Sequence, residues 1–531
     1  MKKLPKLLTA LLIACLALAG CGTNEKPDNT GGNPDSGDTP AQDVLIYAVQ
    51  GEPQSFNPDM KSDDRAYAIN QNIYNRLVKL NADDQILPDL AESWEFSEDG
   101  LTLTFHLHEG VKWHDGEPFT SADVKWTFET MIANSWTKSD SLEAVATIEC
   151  PDDNTVVLNL SKRDVGIVPK LGWYATFIMP EHIWNDPQYS DFVSNPAAWN
   201  PIGTGPYKFQ KYEASVGTTL VKNEDYFGDK ATIERLVFQI IPDSTTAYQS
   251  FLNGEVDYLG MTVPTANKHE LDNDPNYKHF HYLSINRTYI TFNMETSIFK
   301  DVRLRQAVAM GVDRQGIYNR IANDTGALAE YFISPLWEGK YLDKQYTMPA
   351  RDVEAAKALI EDAGYTLRDD GFYFDMTMDI FESGNFKDIA QIVKENLKEI
   401  GINVTLNIME MAAWQDKVVT NSNFDMTMLA GYQGPDVSGI SGRVASNGGT
   451  NVGLYNNPEM DAALQAGVET ADDAERAKAY SEVQRIMSED MPMVFLFENG
   501  DCLPVAANLD GTPRDVPDLA AANEFAYANY K

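Results

Sequence analysis

Residues 386–409 read FKDIAQIVKENLKEIGINVTLNIM, and this stretch decides the fold class. Phe386–Ile400 is expected to form a helix closed by Gly401, and Ile402–Met409 continues as a β-run. Upstream, residues 352–363 read as a helix ending at Gly364, a residue suited to a left-handed position after the last turn. Asp301 is placed to cap a helix carrying Leu304, Val308 and Gly311, and Asp313 a second one carrying Ile317 and Ile321. Helix followed by β-run, repeated, indicates an α/β architecture, and two α/β lobes suit the pattern. No internal repeat of fixed period is present.

The first half of the chain is richer in strand signals. Residues 44–49 (VLIYAV) form a short apolar strand that runs into GEPQSFNP at 51–58. Trp94 and Phe96 lead to Ser97-Glu98-Asp99-Gly100, after which Leu101, Leu103, Phe105 and Leu107 alternate with Thr102, Thr104, His106 and His108. Period-two alternation beside an Asp-Gly pair predicts a hairpin with one buried face. A second turn, Asp115-Gly116, follows, and Trp113 is expected to pack beneath one of the two Asp-Gly turns. Thr120 or Ser121 then caps a helix with Val124, Phe128 and Met131 on one face.

Composition narrows the partners. The 531 residues hold 42 Lys plus Arg against 79 Asp plus Glu, a formal charge of −37. Phosphate backbones and anionic headgroups repel such a surface, which argues against nucleic-acid binding and peripheral membrane docking. With 43% hydrophobic and 23% charged residues the composition is that of a globular protein, not a disordered one.

Lys2, Lys3 and Lys6 precede an apolar run from Leu7 to Ala19, the layout of a secretory signal over residues 1–20. Its end, Leu18-Ala19-Gly20-Cys21, resembles the lipobox of bacterial lipoproteins, which implies cleavage before Cys21 and lipidation of its thiol. Residues 21–43 hold no core-forming stretch and are expected to be a flexible tether. The expected location is the extracytoplasmic face of the cell membrane, reached through lipid alone. Of the remaining cysteines, Cys150 and Cys502 form no CxxC motif, and two separate thiols or one long bridge both fit.

Several long motifs occur in order: Leu87-Pro88-Asp89-Leu90-Ala91-Glu92-Ser93-Trp94, and Lys112-Trp113-His114-Asp115-Gly116-Glu117-Pro118-Phe119 running on to Val124. Next come Gly203-Thr204-Gly205-Pro206-Tyr207, Gly254-Glu255-Val256-Asp257, and Phe292-Asn293 with Phe299 to Ala307. Ala355 to Tyr365 and Tyr455 to Asp461 complete the set. This collinear series resembles family 5 of the bacterial extracellular solute-binding proteins, the oligopeptide and dipeptide receptors of ABC importers. The resemblance implies a two-lobed periplasmic-binding-protein-like fold with a hinge. It implies lobe I over 44–284, with an extra subdomain at about 66–199, lobe II over 285–492, and a return to lobe I over 493–531.

Most of these motifs read as structural. Gly203-Thr204-Gly205-Pro206 superficially suggests a phosphate loop, but Pro206 removes a donor and a strand-like run follows, so a turn is expected. His106, His108 and His114 are expected to be solvated rather than metal ligands, with no HExxH pattern. His182, His269, His279 and His281 lie in loops or strand ends, and no GxSxG elbow is present. No enzyme, metal centre or cofactor is expected.

The binding expectation centres on residues 430–436, AGYQGPD, on a strand-to-loop edge. By family resemblance, Asp436 is the anchor for a peptide's ammonium group and Tyr432 an apolar wall, with Gln433 and Gly434 beside them. The alternative is that Asp436 shapes a Gly-Pro loop, and Gly434-Pro435 shift its register from the usual family pattern. Arg443 suits either a ligand carboxylate or a loop-stabilising ion pair. Asn451 follows in the same Gly/Ser-rich region, Glu52 and Gln54 are candidate lobe I contacts, and Trp173 and Tyr174 candidates from the subdomain. Trp414 reads as core or stacking platform. The resulting expectation is a monomeric receptor lipoprotein that delivers di- or oligopeptides to ABC permease subunits. An oligosaccharide or metal complex is the alternative cargo, and a surface hydrolase a distant one.

Overall fold

The computed structural model describes residues 43–60, 63–81, 85–173, 176–189, 191–260, 263, 267, 269–322, 326–513 and 524–531. The signal, Cys21 and the tether therefore lie outside the described residues, as does Tyr174. Among the described residues no helix is long and apolar enough to cross a membrane.

Three main sheets carry the architecture. The first orders its strands as Tyr258–Leu259, Val44–Val49, Arg235–Ile240, Gly217–Lys222 and Tyr207–Glu213, with Val44–Val49 parallel to both of its neighbours. The second is antiparallel, in the order Ala91–Phe96, Thr102–Leu107, Thr155–Leu160 and Val145–Asp152. The third has six strands: Ala327–Leu328, Met493–Ala506, Tyr277–Phe292, Met426–Tyr432, Phe374–Phe381 and Ile402–Met409. Each sheet buries its own apolar cluster, giving lobe I, its subdomain and lobe II.

Local signals in the sequence are realised where a cap or period specifies them. Phe386–Glu399 is helical and Gly401 follows with φ +79°, leading into Ile402–Met409. Asp301 and Asp313 accept hydrogen bonds from Arg303 and Gly316 backbone N–H groups. Thr120 and Asp123 form a reciprocal capping box on Ser121–Asn134. The hairpin forms with Leu103, Phe105 and Leu107 buried, while Leu101 stays exposed at the turn. Trp113 is buried, and its carbonyl accepts from the Gly116 N–H across the Asp115-Gly116 turn.

His114 departs from expectation. His106 and His108 lie on the polar side of the hairpin, but the His114 ring is enclosed. Its Nδ1 accepts from Gly203 N–H at 3.3 Å, and its Nε2 lies 3.0 Å from the Gly205 carbonyl. Burial pushes its pKa down to about 4, so the ring is neutral and fastens the subdomain to residues 203–205. Those residues form the expected turn, pressed against Ile73. A Cβ on Gly203 would stand 1.9 Å from the Ile73 carbonyl oxygen, which explains the glycine by close approach alone.

Tyr277–Phe292 and Met493–Ala506 run antiparallel through both lobes and form the hinge. Their outer halves pair Tyr277–Leu283 with Gly500–Ala506, and their inner halves pair Arg287–Thr291 with Met493–Glu498. Between Leu283↔Gly500 and Arg287↔Glu498 the ladder breaks register. Ser284 Oγ donates to the Asn499 carbonyl, and the Asn499 amide donates to Asn286 Oδ1 at 2.8 Å. Side-chain bonds thus replace ladder bonds across this break. Met493–Phe497 pack in the cluster of the six-stranded sheet, while Leu503 and Val505 pack in that of the five-stranded sheet. The subdomain cluster draws on residues between Leu77 and Ala198, whereas Ala68, Ile69 and Phe177 pack with the first sheet.

Candidate ligand-binding cleft

The strand Met426–Tyr432 lies beside the hinge, with Tyr432 paired to Asn286. The chain leaving that strand therefore emerges at the junction of the lobes. Gly434 takes φ +100°, a conformation that favours glycine, and turns the chain back so that Gly439 N–H reaches the Asp436 carbonyl. Asp436 then caps the short turn Val437–Ile440 by accepting from Ser438 N–H at 3.0 Å. Its side chain is 9% exposed. Both carboxylate oxygens accept from Arg476 Nη2, at 2.7 and 2.9 Å. Burial raises the Asp436 pKa, but the Arg476 guanidinium outweighs it and holds the carboxyl below its usual range.

The subdomain approaches this loop from lobe I. Val165 N–H donates to the Val468 carbonyl at 2.9 Å, a direct bond between the lobes. A Cβ on Gly166 would lie 2.8 Å from Ser438 Oγ and 3.5 Å from Asp436 Oδ1. Asp164 holds this approach by accepting from Gly166 N–H and pairing with Lys170. The lobes thus meet at residues 164–166 and 436–438, over the loop that sequence reading selected.

The other candidates divide by what already occupies them. Gln433 is buried, and its Nε2 makes no hydrogen bond. Arg443 Nε donates to Tyr289 Oη at 3.2 Å, and its Nη2 lies 3.1 Å from the Cβ position of Gly431. Asn451 donates to the Ala445 and Tyr455 carbonyls and accepts from Tyr455 N–H, which knits its own loop. Glu52 accepts from Tyr212 Oη and from Ser215, bonds that hold its carboxyl below the ordinary range on the hairpin Tyr207–Lys222. Gln54 is exposed, and its N–H donates to Asp63. The Trp173 carbonyl accepts from Arg76 Nε at 3.1 Å. Trp414 is core: it is buried and donates to Thr427 Oγ1.

Two features escaped sequence reading. Arg287 and Glu498 form an ion pair at 2.8 Å with both side chains fully buried, next to the hinge irregularity. Asp59, fully buried in lobe I, accepts from Phe177 N–H, and burial pushes its pKa up to about 8. Neither lies in a local motif; only distant partners mark them.

Two α/β lobes, a two-stranded hinge and a loop poised at their seam define a hinged solute-binding receptor. Residues 85–451 match the family model for bacterial extracellular solute-binding proteins, family 5 Middle, and the chain belongs to that family. It is a family of binders rather than catalysts. The chain is 26% identical over 520 residues to the oligopeptide-binding protein AppA of Bacillus subtilis, covering 95% of each chain. It is 28% identical over 539 residues to heme-binding protein A of Haemophilus influenzae, covering 94% of this chain and 95% of that one. The solved structure of Bacillus subtilis AppA in complex with a nonapeptide superposes with a TM-score of 0.75 at 25% identity, covering 92% of this chain and 100% of the other.

Proposed function

We propose that this chain captures peptides between its lobes and hands them to the permease subunits of an ABC importer. One observation carries the reading furthest: the Gln433 amide, buried at the cleft loop, has an Nε2 donor with no acceptor in the protein. An unmade buried hydrogen bond costs about 1–3 kcal/mol, and a peptide carbonyl supplies the missing acceptor. The likeness to an oligopeptide-binding relative supports the same class of ligand.

In this reading Gln433 and the Gly434 backbone meet the peptide main chain, with Tyr432 beside them and Trp173 across the seam. Arg443 meets the carboxylate end. Asp436 has about four acceptor directions; Arg476 and Ser438 take three of them. The fourth is proposed to receive the ligand's ammonium group. Asn451 and Glu52 act by holding their loops. Cys21 is proposed to carry lipid that tethers a monomeric body outside the cell.

Mass spectrometry of small molecules released by denaturing the purified protein tests the proposal. Peptides are expected. Recovery of heme or sugars, or of no peptide after incubation with a peptide mixture, overturns it.

A further inference from the structure

Lobe I's end of the hinge ladder carries a side-chain cluster that the cleft does not use. His279 and His281 sit two residues apart on Tyr277–Phe292 and so share one face of the strand. Cys502 lies directly opposite His281 on Met493–Ala506. The turn preceding the first strand brings His269 and Asp272 against the same face.

The distances are short in every direction. His281 Nε2 is 2.9 Å from Asp272 Oδ1 and 3.9 Å from Cys502 Sγ. His279 Nδ1 is 3.3 Å from the same Asp272 oxygen. His269 Nδ1 stands 2.6 Å from the other oxygen, Oδ2. In each of two overlapping triads, His279–His281–Cys502 and His269–Asp272–His281, the donor atoms lie within 4.8 Å of one another.

An independent observation points to a missing partner. The His279 side chain is only 9% exposed, and apart from the Asp272 oxygen 3.3 Å from Nδ1 its ring nitrogens have no partner in hydrogen-bond geometry. A buried imidazole left in that state is costly, and an ion bound to a ring nitrogen removes the cost.

We propose that His279, His281 and Cys502 form a binding site for a divalent transition-metal ion of the zinc class, with Asp272, bonded to His281, moving in as the fourth ligand. His269 is its positioning residue, orienting Asp272 from outside. Imidazole, thiolate and carboxylate together suit zinc better than calcium or magnesium, which prefer oxygen alone. Bonds of about 2.0–2.3 Å in a tetrahedron place neighbouring ligand atoms roughly 3.3–3.8 Å apart. The donor atoms of His279, His281 and Cys502 lie within 4.8 Å of one another, with His281 Nε2 3.9 Å from Cys502 Sγ, so these three side chains close on an ion by moving inward. Binding displaces the Cys502 thiol proton to solvent. Cys502 lies inside while His281, His269 and Asp272 are exposed, which gives the ion an entry path. Every ligand lies on the lobe I side of the register break, so the ion staples the two hinge strands to the 269–272 turn without bridging the lobes.

The test uses the full chain without a histidine tag, stripped with chelator and titrated with cobalt(II) and then zinc. One equivalent of cobalt is expected to give tetrahedral d–d bands with a thiolate-to-cobalt charge-transfer band, both lost on zinc addition. Cys502→Ser should abolish the charge-transfer band, and His281→Gln should lower zinc affinity at least a hundredfold. His269→Ala should lower it roughly 10- to 100-fold, as loss of an orienting partner does. Zinc should raise the wild-type melting temperature and leave that of His281→Gln unchanged. An octahedral cobalt spectrum without the thiolate band overturns the site, as does equal zinc affinity in wild type and His281→Gln. The wild-type cobalt spectrum decides the matter even where a variant fails to fold.

Discussion

Arg476 closes both oxygens of Asp436, reaching from the helix Asp473–Asp490 to the loop at the seam between the lobes. The guanidinium also donates to the Gly467 carbonyl and to Tyr341 Oη, and it lies over the Tyr341 ring at 4.9 Å. The planar guanidinium fork thereby joins the cleft loop, through Nη2, to Tyr341 and the Gly467 carbonyl, through Nη1 and Nε.

Removing the fork leaves a buried carboxylate alone. Arg476→Ala is expected to destabilise the protein by about 3–5 kcal/mol, the cost of breaking a buried pair from one side. Urea denaturation followed by tryptophan fluorescence measures it. A loss below about 1 kcal/mol would show that the pair is solvated and does not hold the loop.

Asp436→Asn tests the proposed ammonium contact. Free-amine peptides are expected to bind at least about tenfold more weakly, a change of roughly 1.4 kcal/mol. N-acetylated peptides of the same sequence should change little. Calorimetric titration of both series gives the ratio, and equal weakening in the two would assign Asp436 to loop shaping alone.

Gly166 sets how closely the lobes meet. A side chain there intrudes on Ser438 and Asp436, so Gly166→Val is expected to hold the lobes apart while each stays folded. Ligand affinity should fall about tenfold or more, with a larger radius of gyration in the presence of ligand. Unchanged scattering and affinity would show that the seam yields freely.

The hinge pair makes a double-mutant prediction. Glu498→Gln removes the countercharge from buried Arg287, leaving it the Phe332 and Tyr331 carbonyls and the face of the Phe495 ring at 3.8 Å. It should cost about 3–5 kcal/mol. Arg287→Met combined with Glu498→Leu should recover most of that loss, because apolar replacements of a buried pair are often neutral or better. Thermal unfolding of the single and double variants decides between this and a pair needed for folding itself.

His114 gives stability a pH dependence of known sign. Its pKa is about 4 when folded, against an ordinary value of 6.5, so the unfolded chain takes up the proton first as pH falls. Its contribution is complete above about pH 6.5 and is lost progressively down to about pH 4. The loss amounts to at most about 3 kcal/mol. His114→Gln should flatten that part of the stability–pH curve relative to wild type. Parallel curves for the two proteins would place the ring in contact with solvent.

Much of the fold was legible because its signals are local. Thr120, Asp301 and Asp313 cap helices from within a turn of their own position, and the hairpin at 94–107 follows from strict alternation. The candidate site was legible only as a segment. Residues 430–436 could be placed at a strand edge, but nothing near Asp436 in sequence announces Arg476, 40 positions away. His114 shows the same limit. Its ring looks like one more polar residue after the hairpin, and burial arises from Gly203–Gly205, some 90 positions on.

The sequence by itself therefore determined the α/β class, the order of elements, the family and an acidity that repels other polyanions. Those properties rest on periodicity, capping, motif order and summed charge, each readable along the chain. Only the tertiary structure decided which charges pair, where the hinge ladder slips and which histidines converge. Arg287 meets Glu498, and His281 meets Cys502, across two strands separated by all of lobe II. Register fixes such meetings, and register comes from packing many side chains at once rather than from any residue's own preference.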